Sequence, residues 1–396
     1  MRVAFFNYHH DITGSARGAA AQLRSLTRAL ERRGHRVDLL FRSAAKERLD
    51  PAQMSGLKQR RHPLVRRFAH VPRLLMRNVV FLYEELQILE SLRPDVVLAV
   101  HQYCNIAPLL ASRRKGIPFV LFVETPMVYE YSLFYRQYHA YPAIGGRMER
   151  YVVDYADAVV CISEILKGYL VGGGASAVRI HVIPNGVDAT CFRPQPPDAG
   201  VVNRLRLWGK MVVGFVGTFQ FFPPVGWFVD VAETVFRRVP QVVFLMVGSG
   251  EPAECIRREA LRRGVERQFR FTGPLDHAEI PAHLSVMHVT VCPYRGDYLF
   301  YGSALKPLEY MAAGRALVAP RLGQIKELVH HGTNGILYDW DDGRAMSTAI
   351  IALLEDADLR DRLGRNARRA IEQGWTWDIQ AARLETVLKE AAQRRR

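Results

Sequence analysis

Short apolar runs alternate with amphipathic stretches along the first half of the chain. The runs are rich in β-branched residues, which is typical of strands, whereas Ala19–Arg33 has apolar residues at helical spacing and ends before Gly34. Continuous apolar strands that alternate with helices predict a parallel sheet covered on both faces. The predicted strands of this half are Val3–Phe6, Val37–Phe41, Asp95–Val100, Phe119–Val123 and Ala158–Ile162.

The same pattern restarts in the second half. Between the two series lies Gln195–Val202, whose prolines and glycine predict an interdomain linker. The sequence therefore predicts an α/β protein of two doubly wound domains, 1–195 and 203–375, that face each other across a cleft. Such sheets bind ligands beyond the carboxyl ends of their strands. The predicted strands of the second half are Met211–Val216, Val242–Val247, Gln268–Phe271, Val289–Cys292 and Ala316–Ala319.

The length of the chain agrees with two domains, and its net charge indicates the class of partner. The chain has 396 residues, too many for one ordinary core, since domains hold roughly 100–200 residues. Lys and Arg number 54 against 39 Asp and Glu, a formal net charge of +15. Such a balance favours anionic partners, namely nucleic acid, phosphates or an anionic membrane face, and does not choose among them.

Cysteine usage and hydropathy indicate the compartment. The five cysteines contain no C-x-x-C pair, which argues against a zinc site and a disulfide framework and fits a reducing cytosol. The apolar run at the N-terminus is too short for a signal-peptide core, and no run approaches the about 18 apolar residues of a membrane span. These features predict a cytoplasmic protein and leave peripheral association with the inner membrane open.

The segment 58–77 departs from the rest in composition. It holds seven Lys and Arg residues, no acidic residue and several interspersed apolar ones. Basic residues with apolar neighbours suit an anionic bilayer, at ~1 kcal/mol per Lys or Arg near the surface. The alternative is a solvated basic loop and helix face. Nucleic-acid binding is not expected, because no recognition motif accompanies the charge.

Three groups of segments between Ala158 and Gly374 carry a resemblance. The first comprises ISE at 162–164, RIHVIPNGVD at 179–188 and FRP at 192–194. The second comprises FLMVGSG at 244–250, FRFTGP at 269–274 and VTVCPY at 289–294. The third is YGSALKPLEYMAAG at 301–314. Together they resemble glycosyltransferase family 4, the retaining transferases of the GT-B fold, in the subgroup marked by "SPLKLFEYMAAG".

The resemblance implies a donor site for a nucleoside-diphosphate sugar in the C-terminal domain. Glu309 is expected to accept hydrogen bonds from the ribose, and Lys306 to add a positive charge near the phosphates. The start of their helix also attracts phosphate, through free N–H groups and the positive end of the dipole. The expected donor-binding residues are Gly217, Thr218, Gly248, Gly250, Gly273, Pro274, Ser303, Ala304, Leu305, Lys306 and Glu309.

The resemblance is weaker over the first 150 residues, where the acceptor is expected to bind. His101 follows one predicted strand, and Glu124 follows the next, where a carboxylate is costly unless it is used or solvated. We expect both to be catalytic together with Glu309 and Lys306, although a lone histidine is more often structural. The expected acceptor-side residues are Gly14, Gly18 and Asn185. The family also implies that the last helix, about 377–396, packs back on the first domain.

Two motifs depart from the family pattern. Tyr301 stands where many members have the first Glu of an E-x7-E pair, and nearby Asp297 is a candidate substitute. In the phosphate-gripping "GR-x4-KG" loop, Thr218 and Pro223 replace the Arg and the Lys. Charge-assisted contacts to phosphate are strong, so this loss bears on donor affinity. The candidates to compensate are Arg295 and Arg321.

These features lead to one expected function and two alternatives. We expect a retaining transfer of a sugar to an acceptor, with a lipid-linked sugar or a polysaccharide precursor as candidates. The family implies front-face attack, no side-chain nucleophile and no essential metal. The first alternative is a nucleotide-sugar epimerase of the same fold. The second is a non-catalytic binding or scaffold protein, motivated by Thr218, Pro223 and Tyr301.

Overall fold

The computed structural model describes residues 1–8, 19–41, 63–134, 142–219, 222–303 and 305–394. Three predicted site residues, Gly14, Gly18 and Ala304, lie outside the described residues. Contacts divide the chain into two compact units. The first unit is Met1–Pro184 with Gln380–Arg396, and the second unit is Asn185–Ile379.

The first unit is a parallel sheet flanked by helices. Its strands are β1 (Arg2–Asn7), β2 (Arg36–Phe41), β3 (Val96–Val100), β4 (Phe119–Val123), β5 (Ala158–Cys161) and β6 (Ile180–Val182). Their order in the sheet is β2-β1-β3-β4-β5-β6. The helices are α1 (Ala19–Arg32), α2 (Pro63–Leu92), α3 (Ala107–Arg114), α4 (Met127–Phe134), α5 (Pro142–Tyr155) and α6 (Glu164–Gly172).

The second unit repeats this architecture. Its strands are β7 (Met211–Gly217), β8 (Val242–Gly248), β9 (Phe269–Gly273), β10 (Val289–Val291), β11 (Ala316–Pro320) and β12 (Ile336–Tyr338), in the order β12-β11-β10-β7-β8-β9. Its helices are α7 (Ala199–Leu205), α8 (Val225–Arg238), α9 (Glu251–Arg262), α10 (Ile280–Ser285), α11 (Leu305–Ala312), α12 (Ile325–Leu328), α13 (Gly343–Glu355) and α14 (Ala357–Gly374). The last helix, α15 (Trp377–Gln393), runs from the second unit into the residues grouped with the first.

Burial explains why the apolar runs became central strands. Every residue of β3, VVLAV, and of β4, FVLFV, is buried. A strand that is covered by helices on both faces has no position for a polar side chain, so it appears as a continuous apolar run. The predicted α/β fold with two parallel sheets is confirmed. The two strands that the sequence pattern missed are β6 and β12, which have three residues each and lie at sheet edges.

The boundary between the two units lies earlier in the chain than the predicted one, and the predicted linker is grouped with the second unit. Residues 185–202 belong to the second unit because hydrogen bonds tie them to it: Gln195 Nε2 donates to the Pro281 carbonyl at 2.8 Å. Asp198 accepts from the Val201 N–H at 2.8 Å and so caps the start of α7, whose Val201 is buried. At the other end of the chain, Arg33 Nε lies 2.5 Å from Glu385 Oε2 on α15, within the first unit.

The basic segment runs into helix α2. Side chains are described from Leu75 onward. Leu75 is 39% exposed, and four further apolar or aromatic side chains are more exposed: Met76, Val79, Val80 and Tyr83. Residues three, four and seven positions apart lie on one side of a helix, so these four form a single face. We call them the apolar face of α2. Among the described helices, none is long and apolar enough to cross a membrane.

Candidate active site

Three glycines meet where β7, β8 and β9 end. Gly217 is the register partner of Gly248, and Gly248 pairs in turn with Gly273. Gly248 has φ +121°, and a Cβ there would overlap the Gly217 carbonyl. Only glycine permits backbones to approach so closely at this φ. None of these three strands therefore carries a side chain at its last residue, and all three glycines are half-buried.

The loops that follow these strands also touch. Gly250 has φ +155°, and a Cβ on it would overlap the Thr218 carbonyl. Pro274 follows Gly273 and is exposed. The structure thus gathers Gly217, Thr218, Gly248, Gly250 and Gly273, which the sequence predicted as donor-contacting, at one edge of the second sheet.

Helix α11 brings Lys306 to the same edge. The Tyr310 hydroxyl accepts from the Val216 N–H at 2.7 Å and donates to the Val216 carbonyl at 3.2 Å, so the helix is fixed to the end of β7. Lys306 lies one turn before Tyr310, and a Cβ on Gly217 would overlap its Cε atom. The lysine stem therefore crosses Gly217 and carries its ammonium group towards the strand ends.

We expect Gly217→Ala to displace Lys306. The new methyl group occupies the space of the lysine stem, so the ammonium group moves while the core stays packed. Affinity for a nucleoside diphosphate, measured by calorimetric titration, should fall by about tenfold, the scale of one hydrogen bond to a charged group. Gly226→Ala on α8 is the matched control, since a Cβ there meets only Arg263 at an ordinary 3.7 Å. Equal affinity in the two variants would contradict this role for Gly217.

Glu309, one turn after Lys306, is paired with a histidine. Its Oε1 lies 3.0 Å from His277 Nε2, and the two side chains are 14% and 44% exposed. The hydrogen bond and the charge of Glu309 raise the pKa of His277, against the opposing effect of burial. Glu309 is therefore not a solvated helix carboxylate. No sequence motif marks His277, which begins the helical turn that follows β9.

Asn185, which the sequence predicts to be on the acceptor side, is the first residue grouped with the second unit. Its backbone N–H donates to the Ser303 hydroxyl at 3.0 Å, and its Nδ2 donates to the Ser303 carbonyl at 2.9 Å. Asn185 and Ser303 are both buried, so their bonds fix the chain that leads into α11.

His101 and Glu124 lie in the first unit, just after β3 and β4. The His101 side chain is buried, with Nε2 at 3.8 Å from Glu149 Oε2, and Gln22 Nε2 donates to Glu124 Oε1 at 2.8 Å. The sequence did not predict Glu149, a carboxylate of α5 that also accepts from the Tyr169 hydroxyl at 3.3 Å. Burial raises the pKa of Glu149 to about 7.

We expect Glu149→Gln to remove a pH dependence of stability. Because the folded pKa of about 7 exceeds the ordinary 4.5, the unfolded chain ionises first and stability falls as pH rises between these values. The wild type should therefore lose stability over this window, at up to about 1.4 kcal/mol per pH unit. Glu149→Gln should be more stable than the wild type at pH 8 and similar at pH 4.5, by urea unfolding. A constant difference across pH would refute the assignment.

The described geometry agrees with comparisons to known proteins. Residues 16–190 match the family model described as glycosyltransferase family 4, and residues 210–356 match the one described as glycosyl transferases group 1. The two matches together identify a glycosyltransferase that is similar to family 4 over both halves of the chain. Its two α/β units, each with a parallel sheet, are those of the GT-B fold, as the resemblance implied.

Relatives of this chain include two named transferases. One is the GDP-mannose-dependent alpha-(1-6)-phosphatidylinositol monomannoside mannosyltransferase of Mycobacterium tuberculosis, 29% identical over 246 residues, which are 61% of this chain and 63% of the relative. Another is the D-inositol 3-phosphate glycosyltransferase of Corynebacterium urealyticum, 26% identical over 262 residues, which are 62% of this chain and 59% of the relative. The chain thus spans about three-fifths of the length of these relatives.

Solved structures share the GT-B fold over nearly the whole chain. HepE of Anabaena in complex with UDP superposes with a TM-score of 0.73 at 19% identity, over 98% of this chain and 100% of that chain. Sucrose-phosphate synthase of Thermosynechococcus elongatus has a TM-score of 0.74 at 20% identity, over 98% of both chains. At this identity the similarity concerns the fold alone.

The family's phosphate-gripping loop is built differently in this chain. Where the family has Arg and Lys, this chain has an exposed Thr218 and a buried Pro223. Between them Phe219 and Phe222 insert into the core, with ring centroids 4.7 and 5.3 Å from that of Phe215. Phe219 adopts φ +58°, which costs of order 1–3 kcal/mol outside glycine and is offset by this aromatic packing. Phe219, Phe222 and Pro223 are therefore buried in a stretch where the family binds phosphate.

The proposed substitutes are already paired within the second unit. Arg295 Nε donates to Asp297 Oδ1 at 2.9 Å, and Arg321 Nε lies 3.7 Å from Asp339 Oδ1. Tyr301, in place of the family's first Glu, is buried. Lys306 consequently carries a larger share of the positive charge beside the strand ends than the family pattern requires.

Proposed function

We propose that the protein is a retaining glycosyltransferase that moves a sugar from a nucleoside-diphosphate sugar to an acceptor hydroxyl. The observation that carries the proposal is the position of Lys306 and Glu309, one turn apart on α11, with Lys306 crossing Gly217 at the glycine-lined edge of the second sheet. The names of the similar proteins support it, since one relative is GDP-mannose-dependent and one structural neighbour binds UDP.

The donor would lie along the ends of β7, β8 and β9. Lys306 and the N-terminus of α11 would neutralise the diphosphate. Glu309 would accept hydrogen bonds from two adjacent ribose hydroxyls, and the loop after Gly273 would contact the base. The close glycine contacts favour this placement, because they let the Lys306 stem cross Gly217 and reach the ends of the strands.

The transfer would break the bond between the anomeric carbon and the diphosphate oxygen. The bond to the acceptor oxygen forms on the same face of the sugar, and the acceptor proton passes to the departing diphosphate. Positive charge that faces the leaving group stabilises the transition state in such a step. The resemblance implies no essential metal, so we assign this charge to Lys306 and the helix terminus.

The acceptor would bind the first unit. His101 and Glu124 follow neighbouring strands of its sheet, where polar residues bind ligands in open α/β folds. A lipid-linked acceptor is the class we favour, because the apolar face of α2 continues a segment rich in Lys and Arg. Met76 is 70% and Val79 is 71% exposed, and the sequence from 58 to 77 holds no acidic residue.

An anionic bilayer would bind both parts of this helix. Apolar side chains would enter the acyl boundary while each basic residue contributes ~1 kcal/mol against anionic headgroups. In a vesicle sedimentation assay, the wild type should bind phosphatidylglycerol vesicles and not phosphatidylcholine vesicles. Met76→Glu with Val79→Glu should abolish binding. Leu261→Glu, at a 66% exposed leucine of the second unit, is the matched control and should bind like the wild type. Equal binding by all three would argue against membrane docking.

The deciding experiment is turnover with UDP-, GDP-, ADP- and dTDP-sugars, with and without bacterial lipid extract. The proposal predicts that one donor releases its nucleoside diphosphate and transfers its sugar, with retained anomeric configuration, only when acceptor is present. Conversion of a donor to another nucleotide sugar without acceptor would instead favour an epimerase. Complete absence of turnover by a folded protein would favour the non-catalytic alternative. The altered loop at Thr218 and Pro223 is the observation that supports this alternative.

A further inference from the structure

The contact between His277 and Glu309 goes beyond the family pattern. His277 begins a short helical turn, His277–Glu279, that follows β9, and Glu309 lies on α11. Their side chains meet at 3.0 Å, between Nε2 and Oε1, although 32 residues separate them in sequence. The inference drawn from this contact rests on the proposed function, in which Glu309 accepts hydrogen bonds from a ribose.

The imidazole is held in place from more than one side. Its ring packs edge-on against the buried Phe192, with centroids 5.3 Å apart and planes at 67°. Its backbone is fixed by the adjoining turn, where the Asp276 N–H donates to Glu279 Oε2 at 3.1 Å. A side chain immobilised in this way loses little further conformational entropy when it binds a partner. The Glu309 carboxylate is consequently held by a rigid donor.

The charges around His277 favour a bond to Glu309. Glu309, and more weakly Asp188, raise the pKa of His277, whereas partial burial opposes them. Asp188 Oδ1 itself accepts from the Thr190 N–H and hydroxyl and from the Cys191 N–H, at 2.6–3.1 Å. Lys306 stands one turn away on the helix of Glu309. The imidazole can donate from Nε2 in its charged form and in one neutral tautomer.

This bond leaves room for a ligand. A carboxylate offers about four acceptor positions on its two oxygens, and His277 uses one of them. The remaining positions suit the two hydroxyls of a ribose. A bond that fixes one oxygen also fixes the plane of the group, so the other positions keep one orientation.

We propose that His277 is a positioning residue that orients the Glu309 carboxylate for the ribose hydroxyls of the donor. Through this bond the protein would distinguish a ribonucleotide from a deoxyribonucleotide. A histidine that only stabilises the fold would affect both ligands equally. The ratio of the two affinities therefore separates positioning from a structural role.

The experiment is calorimetric titration with UDP, GDP and ADP and with the 2′-deoxy form of each. For whichever base binds, the wild type should prefer the ribonucleotide by about tenfold or more, the scale of one hydrogen bond to a charged group. Glu309→Ala should lose this preference. His277→Phe, which keeps a ring beside Phe192 but no donor, should lose most of it. His277→Gln, which keeps an N–H donor, should retain most of it.

The outcomes separate the two levels of the proposal. If the wild type binds none of these nucleotides, the proposed function fails and the inference fails with it. If Glu309→Ala loses the preference while His277→Phe keeps it, the inference alone is overturned. A loss in both His277→Phe and His277→Gln would equally overturn it, because the retained donor should rescue positioning. Should His277→Phe fail to fold, His277→Leu takes its place with the same expected result.

Discussion

Glu309→Ala is expected to lower kcat/KM for the sugar donor by about 100-fold or more. The substitution removes two hydrogen bonds to a charged acceptor, each of which contributes about 1.5–3 kcal/mol. It also leaves His277 without its partner at 3.0 Å. Because the ribose is bound in the ground state and in the transition state alike, most of the loss should appear in KM for the donor.

The matched control is Glu254→Ala. Glu254 is also a helix carboxylate of the second unit, but its side chain is 68% exposed and it lies 3.7 Å from Arg257 in a surface pair. Surface pairs of this kind contribute little, so the control should have wild-type kinetics and stability. If both variants turned over normally, Glu309 would not bind the donor, and the assignment of the site would be wrong.

Lys306→Met is expected to weaken binding of nucleoside diphosphates by about 100-fold, the result of losing a charge-assisted contact in a partly enclosed site. The altered loop makes the effect large, because Thr218 and Pro223 supply no cation where the family has two. Methionine keeps most of the length of the lysine stem, so packing over Gly217 is preserved. Binding of the uncharged nucleoside should change little.

Lys326→Met, at an exposed lysine of α12, is the control for Lys306→Met. Calorimetric titration of both variants with a diphosphate and with its nucleoside measures the effect. An unchanged diphosphate affinity in Lys306→Met would show that another group neutralises the phosphates. Arg295 and Arg321 would then be the residues to substitute, although each already faces an aspartate.

The central strands were predictable because burial on both faces permits only apolar residues in them. A strand such as Phe119–Val123, buried on both faces, must be an unbroken apolar run, and its predicted bounds match the structure. The edge strands β6 and β12 lack this constraint, since three residues are too few to form a pattern. The predicted linker is instead grouped with the second unit. Prolines and a glycine near Asp198 suit a flexible connection, but they suit equally the approach to a capped helix.

The site was predictable only where residues follow a local motif. Lys306 and Glu309 belong to the motif SALKPLEYMAAG, which contains the helix α11. Gly217, Gly248 and Gly273 are each the last residue of a strand. The partner of Glu309 was not predictable, because the bond to His277 depends on how β9 and α11 pack. Glu149 was missed for the same reason, since its burial arises from folding and its neighbours along the chain carry no signal.

The most direct test of the account is thermal unfolding of the protein with UDP, GDP, ADP and dTDP and with their sugar conjugates. A ligand at 100 times its Kd stabilises the folded state by about 2.7 kcal/mol, which is visible as a shift of several degrees. We predict that one nucleotide and its sugar conjugate raise the unfolding temperature, and that this shift is lost in Glu309→Ala. No shift with any of them, from a folded protein, would contradict it and move the assignment to a non-catalytic role.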